Sequence, residues 1–164
     1  MESAGAFDGT ALADKSALRW VSLIRQPDFV TAEAFPRLCE MAAAKKPALA
    51  DTLASGALRL VRFAEGPCAQ VIHAGGYDDE PATVDALAAF IADQGLETDI
   101  PGEGEPGGDH GAAAAGDPAA MLGTLDADGT VPPVRLHHEI YLGDLRKTSP
   151  DRLKTVIRHP VRPR

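Results

Sequence analysis

A chain of 164 residues with a formal net charge of −8 is long enough to bury the core of one domain. No apolar run is long enough to span a bilayer, and Met1 to Asp14 lacks the charged-then-apolar form of a signal peptide, so a cytoplasmic protein with no membrane contact is expected. The acidity is local: residues 97 to 134 hold eight acids and no Lys or Arg, the rest balances at zero, and nucleic acid is not an expected partner.

Residues 1 to 17 are small, polar and without period, which reads as a disordered tail ahead of one domain over 18 to 164. Trp20 to Gln26 reads as a first strand ended by Pro27-Asp28. Thr31 then caps a helix in which Phe35, Leu38, Cys39 and Ala42 recur at helical spacing. Pro36 calls for a kink or a delayed start, Lys45-Lys46 suit the negative end of the helix dipole, and Pro47 stops the helix. Cys39 and Cys68 lie among apolar residues and read as reduced, structural thiols.

Leu58 to Phe63 and Cys68 to His73 alternate imperfectly, and Ala64-Glu65-Gly66-Pro67 between them predicts a hairpin. Gly75-Gly76-Tyr77-Asp78-Asp79-Glu80-Pro81 is a turn feeding a helix, with Asp78 or Asp79 as its cap. Val84, Leu87, Ala88 and Ile91 form the buried stripe of that helix, and Gly95 ends it. Residues 99 to 133, rich in Gly, Ala, Asp and Pro, read as a disordered insertion.

The densest chemistry follows. On a strand Leu136 to Leu142, alternation places His137, Glu139 and Tyr141 on one face and His138, Ile140 and Leu142 on the other. A carboxylate and a phenol on one face form an acceptor and a donor at short range. Gly143-Asp144 gives a turn, Thr148 to Asp151 a short helical turn, and Leu153 to Pro160 a closing strand. Only His137 and Glu139 could share a metal ion and no third ligand is visible, so no metal site is expected. No phosphate-binding glycine pattern, nucleotide fingerprint or Ser-His-Asp spacing occurs, and no cofactor is expected. Helix-turn-helix and basic-patch features are also missing.

Arg19 to Pro27 matches Arg152 to Pro160 without a gap, Arg, Ile-Arg and Pro being identical, which hints at internal duplication. The stretches LIRQPDFVT, GPCAQVIHAGGYDDEPAT and HHEIYLGDLRKTSPDRLKTVIRHPV resemble the stand-alone GyrI-like small-molecule-binding family, in its cyclopropanoid hydrolase-like branch. The resemblance covers residues 18 to 98 and 135 to 162. It implies an α+β fold of two β-α-β-β repeats around a ligand cleft. Here the second repeat, from Gln70 to Pro160, is complete, and the first is reduced to its last strand. A homodimer replacing the missing half, a fragment and a reduced cleft are the three arrangements this leaves open.

The resemblance further implies a cleft centred on Glu139, with Tyr141 beside it, His137 on the same face, and Tyr77 and Trp20 as aromatic walls. The partner it implies is a planar, hydrophobic or cationic aromatic small molecule. Two functions follow, and an inactive fragment with neither is the third reading. In one, Glu139 with a burial-raised pKa takes a proton from water that opens the cyclopropane of a DNA-alkylating compound, while Tyr141 or Tyr77 donates a hydrogen bond to the dienone oxygen, a detoxification reaction. In the other, the same residues only hold a ligand, sequestering a drug or passing an effector signal.

Overall fold

The computed structural model describes residues 20–100, 122–126, 128–144 and 146–164. The expected tail over 1–17, Arg19 of the N-terminal echo and most of the expected insertion, 101–121, lie outside the described residues. The described residues form an α+β arrangement, with a four-stranded antiparallel sheet and three α-helices among them. It divides into two compact units, residues 21–62 and the remainder.

In the unit of residues 21–62, α1 runs Phe35–Lys45 and α2 runs Ala50–Ala54. Pro36 falls in the first turn of α1, where a missing N–H costs no intrahelical bond, so the delayed start is what occurs. Thr31 heads the preceding turn, its Oγ1 accepting from the Ala34 N–H at 3.2 Å. The Lys46 N–H closes the helix on the Ala42 carbonyl, and Pro47 opens a short 3-10 turn. Val30, Phe35, Leu38, Cys39, Leu53 and Leu58 line a shallow apolar groove.

Residues 20–27 are not a strand. The segment has no ladder partner among the described residues, and Ile24 is largely exposed. Its counterpart in the sequence echo, Arg152 to Pro160, carries most of the sheet's central strand, so the echo does not become a repeat of structure. Leu58 to Phe63 likewise takes no strand. The Ala64 carbonyl accepts instead from the Val134 N–H at 2.8 Å, and the expected hairpin is replaced by a long-range pairing.

In the second unit, β1 is Cys68–Ala74, α3 is Pro81–Asp93, β2 is Leu96–Thr98, β3 is His138–Tyr141 and β4 is Lys154–Pro163. The strand, helix, strand, strand order read from sequence holds, with short β2 as an addition. Strand β4 is central and pairs antiparallel with the other three. It does not stop at Pro160 but continues to Pro163. Up to Arg158 its residues pair with β3, and from Val161 they pair with β2. Pro160 sits at this change of partner: its carbonyl accepts from the Asp99 N–H at 2.8 Å, and the Asp99 carbonyl, which proline cannot donate to, accepts from Arg135 Nε at 2.9 Å.

One sheet face is buried by α3. Val84, Leu87 and Ile91 pack on Ile157, which is 0% exposed, with Ala69, Val71, Leu96 and Val161 around them. Burying a side chain such as Ile157 contributes roughly 1.5–3 kcal/mol. Ala88, expected in the stripe, is exposed: it lies one position from Leu87, about 100° around the helix from the 84/87/91 line. The N-cap of helix α3 is Glu80, and neither Asp78 nor Asp79 occupies that position. Gly95 ends it with φ +70. Residues 122–126 and 128–133, inside the expected insertion, include a turn from Asp126 to Thr130 and the buried Leu122.

Candidate functional site

The register of the sheet decides which side chains meet. Tyr141 lies opposite Thr155, which lies opposite His73; Glu139 lies opposite Ile157, which lies opposite Val71. Directly paired residues of antiparallel strands share a face. Glu139 and Tyr141 therefore stand on the α3 side of the sheet. Continued by one residue, the same register puts His137 opposite His159.

The expected face of β3 forms a hydrogen-bonded row. Tyr141 donates its hydroxyl to Glu139 Oε2 at 2.6 Å, and His137 Nε2 meets Glu139 Oε1 at 2.9 Å. A carboxylate only accepts, so with Glu139 ionised His137 donates through Nε2. Its Nδ1 then meets Nε2 of the buried His159 at 3.0 Å. Both oxygens of Glu139 are engaged by the strand that carries it. Tyr77 packs edge-on against Tyr141, ring centroids 5.6 Å apart.

Tyr77 is placed by the turn between β1 and α3. His73 Nε2 donates to the Gly76 carbonyl at 3.0 Å, and its Nδ1 meets Thr83 Oγ1 at 2.9 Å, tying the turn to the helix. Gly75 holds φ +141, and a Cβ there would stand 3.3 Å from His73 Nε2, so this position needs glycine. The next turn brings in a residue that sequence reasoning missed. Glu80, bonded through its N–H to the Tyr77 carbonyl, is 7% exposed, and its Oε1 makes no hydrogen bond. Its sequence signal is position: three residues after Tyr77 on a helical turn, both side chains fall on one side.

The electrostatics separate two carboxyl groups. Burial pushes Glu139 up, but hydrogen bonds from His137 and Tyr141, with the charges of His137 and His138, outweigh it and hold the group below its ordinary value. The expectation of a burial-raised Glu139 is thus reversed, because its neighbours satisfy its charged form. Glu80 has no such donors. Burial, and then repulsion from Glu139, push it up to about 7. Burial and Glu139 also raise both tyrosines, Tyr141 further through its own hydrogen bond.

The opposite face of β3 carries a separate network. His138 Nδ1 meets Glu65 Oε1 at 2.8 Å and stacks edge-on with Phe63, while Arg158 Nε pairs with Glu65 at 2.9 Å and Arg158 Nη2 reaches Cys68 Sγ at 2.9 Å. Of the five expected site residues, His137, Glu139, Tyr141 and Tyr77 come together. Trp20 is 75% exposed, and no described hydrogen bond or ring contact joins it to them. Among the described residues no group of three or more His, Cys, Asp or Glu could hold a metal ion, and no helix is long and apolar enough to cross a membrane.

No protein-family model matches the chain, and no curated protein does. Solved structures do. A hydrolase from Listeria innocua is 33% identical with a TM-score of 0.57, over 84% of this chain and 52% of that one. An uncharacterized conserved protein from Listeria innocua is 35% identical with a TM-score of 0.57, over 84% and 50%. A further hydrolase structure from Listeria innocua is 32% identical with a TM-score of 0.55, over 84% and 50%. The chain spans about half the length of these structures, and over that half it shares their α+β fold.

Proposed function

We propose that the Glu139 group is a hydrolytic site for a planar aromatic small molecule. The observation that carries this reading is the pair of donors on Glu139, Tyr141 at 2.6 Å and His137 at 2.9 Å, which keep an ionised carboxylate fixed beside two aromatic rings. An ionised, oriented carboxylate can accept a proton from an attacking water. The likeness to two Listeria innocua hydrolases supports the reaction class. The resemblance of the closing motif to the GyrI-like family supports a narrower substrate, a cyclohexadienone fused to a strained cyclopropane. In that reaction Glu139 takes the water proton, and Tyr77 offers its hydroxyl toward the dienone oxygen. Tyr141 orients Glu139, since its own proton is committed there.

A second reading keeps the ligand and drops the reaction. The edge-on pair of Tyr77 and Tyr141 beside a carboxylate also suits a planar cation held without turnover. Product mass separates the two readings. Purified protein incubated with a spirocyclopropane alkylator should return the compound with one water added. A compound of unchanged mass that is still retained by the protein in equilibrium dialysis would favour the binding module and contradict hydrolysis.

A further inference from the structure

We infer that His159 is a positioning residue of this site: its buried imidazole holds His137 in the tautomer and orientation that present Nε2–H to Glu139. This role rests on the hydrolytic reading above and brings in a side chain of β4, outside the strand that carries Glu139.

The bonds come first. His159 Nε2 lies 3.0 Å from His137 Nδ1, and His137 Nε2 lies 2.9 Å from Glu139 Oε1. The two rings meet edge-on, with centroids 5.1 Å apart and planes at 68°. Burial comes second. His159 is 2% exposed and stands on the inward row of β4 between Ile157 and Val161, on the face that packs under α3. Its two neighbours on that row are aliphatic, so an aliphatic residue would serve packing there. A buried imidazole costs desolvation unless it is hydrogen-bonded, and the bond to His137 is what an aliphatic residue would lose. Direction comes third. The row Tyr141, Glu139, His137, His159 runs from a residue 57% exposed to one 2% exposed, and the His137 side chain between them is 8% exposed. A ligand meets the open end, so His159 acts through His137.

Counting protons gives the tautomer. Ionised Glu139 only accepts, so His137 Nε2 carries a hydrogen. A neutral imidazole has one, which leaves Nδ1 an acceptor, and His159 meets it with its own Nε2–H. The other tautomer of His137 would turn a lone pair toward the carboxylate and set an N–H against the N–H of His159. The same contact keeps the His137 ring from turning away from Glu139. With one donor on each oxygen the carboxylate plane is fixed, and a lone pair on each oxygen remains for the attacking water.

Nitrogen NMR of the free protein, with both imidazoles neutral, reads the tautomer without a substrate. Wild-type His137 should be protonated on Nε2. His159→Phe should give a mixture of tautomers and move the Glu139 carboxyl titration up toward the ordinary range. Turnover of a spirocyclopropane alkylator by this variant should lose about 10- to 100-fold in kcat with KM little changed, because His159 lies behind His137. His159→Gln, whose side-chain N–H reaches the place of Nε2, should restore most of the rate and the single tautomer. A wild-type His137 protonated on Nδ1 would overturn the role of His159, a result that needs no variant. So would His159→Phe with unchanged tautomer and rate, or equal losses in both variants with the tautomer unchanged, which would leave His159 a packing residue. These results leave hydrolysis standing. A wild type that adds no water at any pH would overturn the hydrolytic reading instead, and the nitrogen spectra would still decide whether His159 orients His137.

Discussion

Glu80 and Glu139 stand at one corner of the sheet with their acidities pushed in opposite directions, Glu80 up to about 7 and Glu139 below its ordinary value. The difference follows from donors: Glu139 has two, and the buried Oε1 of Glu80 has none. Stability should record it. In the unfolded chain Glu80 releases its proton near the ordinary value, in the folded protein only near 7, so between these the folded state binds more protons. Stability from this group is then greatest in acid and declines as pH rises to about 7, by on the order of 2–3 kcal/mol. Urea unfolding of Glu80→Gln should match the wild type near the acid end of that window and exceed it above pH 8. Parallel curves for the two proteins would contradict the placement of Glu80.

Glu139 should show the opposite slope. Its folded pKa is depressed, so its contribution is present above the ordinary carboxylate value and is lost as pH falls through the lower folded one. Tyr141→Phe removes the donor to Oε2. Because Tyr141 is half exposed, the cost at neutral pH should be about 1 kcal/mol, shrinking in acid. The Glu139 carboxyl resonance should move up toward the ordinary range in the same variant.

The chain has two tyrosines, Tyr77 and Tyr141, so their ionisation can be read directly from ultraviolet absorbance. Both should ionise above the ordinary value near 10, Tyr141 later than Tyr77. Glu139→Gln should lower both, and Tyr141 more, because it loses a hydrogen bond as well as a neighbouring charge. Two tyrosines titrating together at the ordinary value would mean that neither feels Glu139.

The core makes a separate prediction. Ile157 is fully buried among Val84, Leu87 and Ile91, and Ile157→Ala should cost about 2–5 kcal/mol in chemical denaturation. Ala88→Ser, on the exposed side of the same helix, should change stability by less than about 0.5 kcal/mol.

Much of the site was legible because it obeys a local rule. Alternation along β3 put His137, Glu139 and Tyr141 on one face, and helical spacing put Val84, Leu87 and Ile91 on one stripe. What local patterns cannot state is pairing. Trp20 to Gln26 and Leu58 to Phe63 have strand-like composition, but a strand exists only with a partner, and β4 took β1, β2 and β3 instead. Pro160 reads as a stop because proline lacks a donor, and only the change of partner at that position makes it harmless. Glu80 looked like one more acid at a helix start. Its burial beneath the Tyr77 turn is tertiary, and the reversed acidity of Glu139 depends on two hydrogen bonds that burial alone does not foretell.

In the proposed reaction, water is added to a bound compound by way of Glu139. Incubation with a spirocyclopropane alkylator in heavy-oxygen water, wild type against Glu139→Gln, tests it most directly. The wild type should give a product carrying one heavy oxygen on the opened ring carbon, and Glu139→Gln should bind the compound without converting it. Equal labelled product from both proteins would contradict the role given to Glu139, and no labelled product from either would contradict hydrolysis.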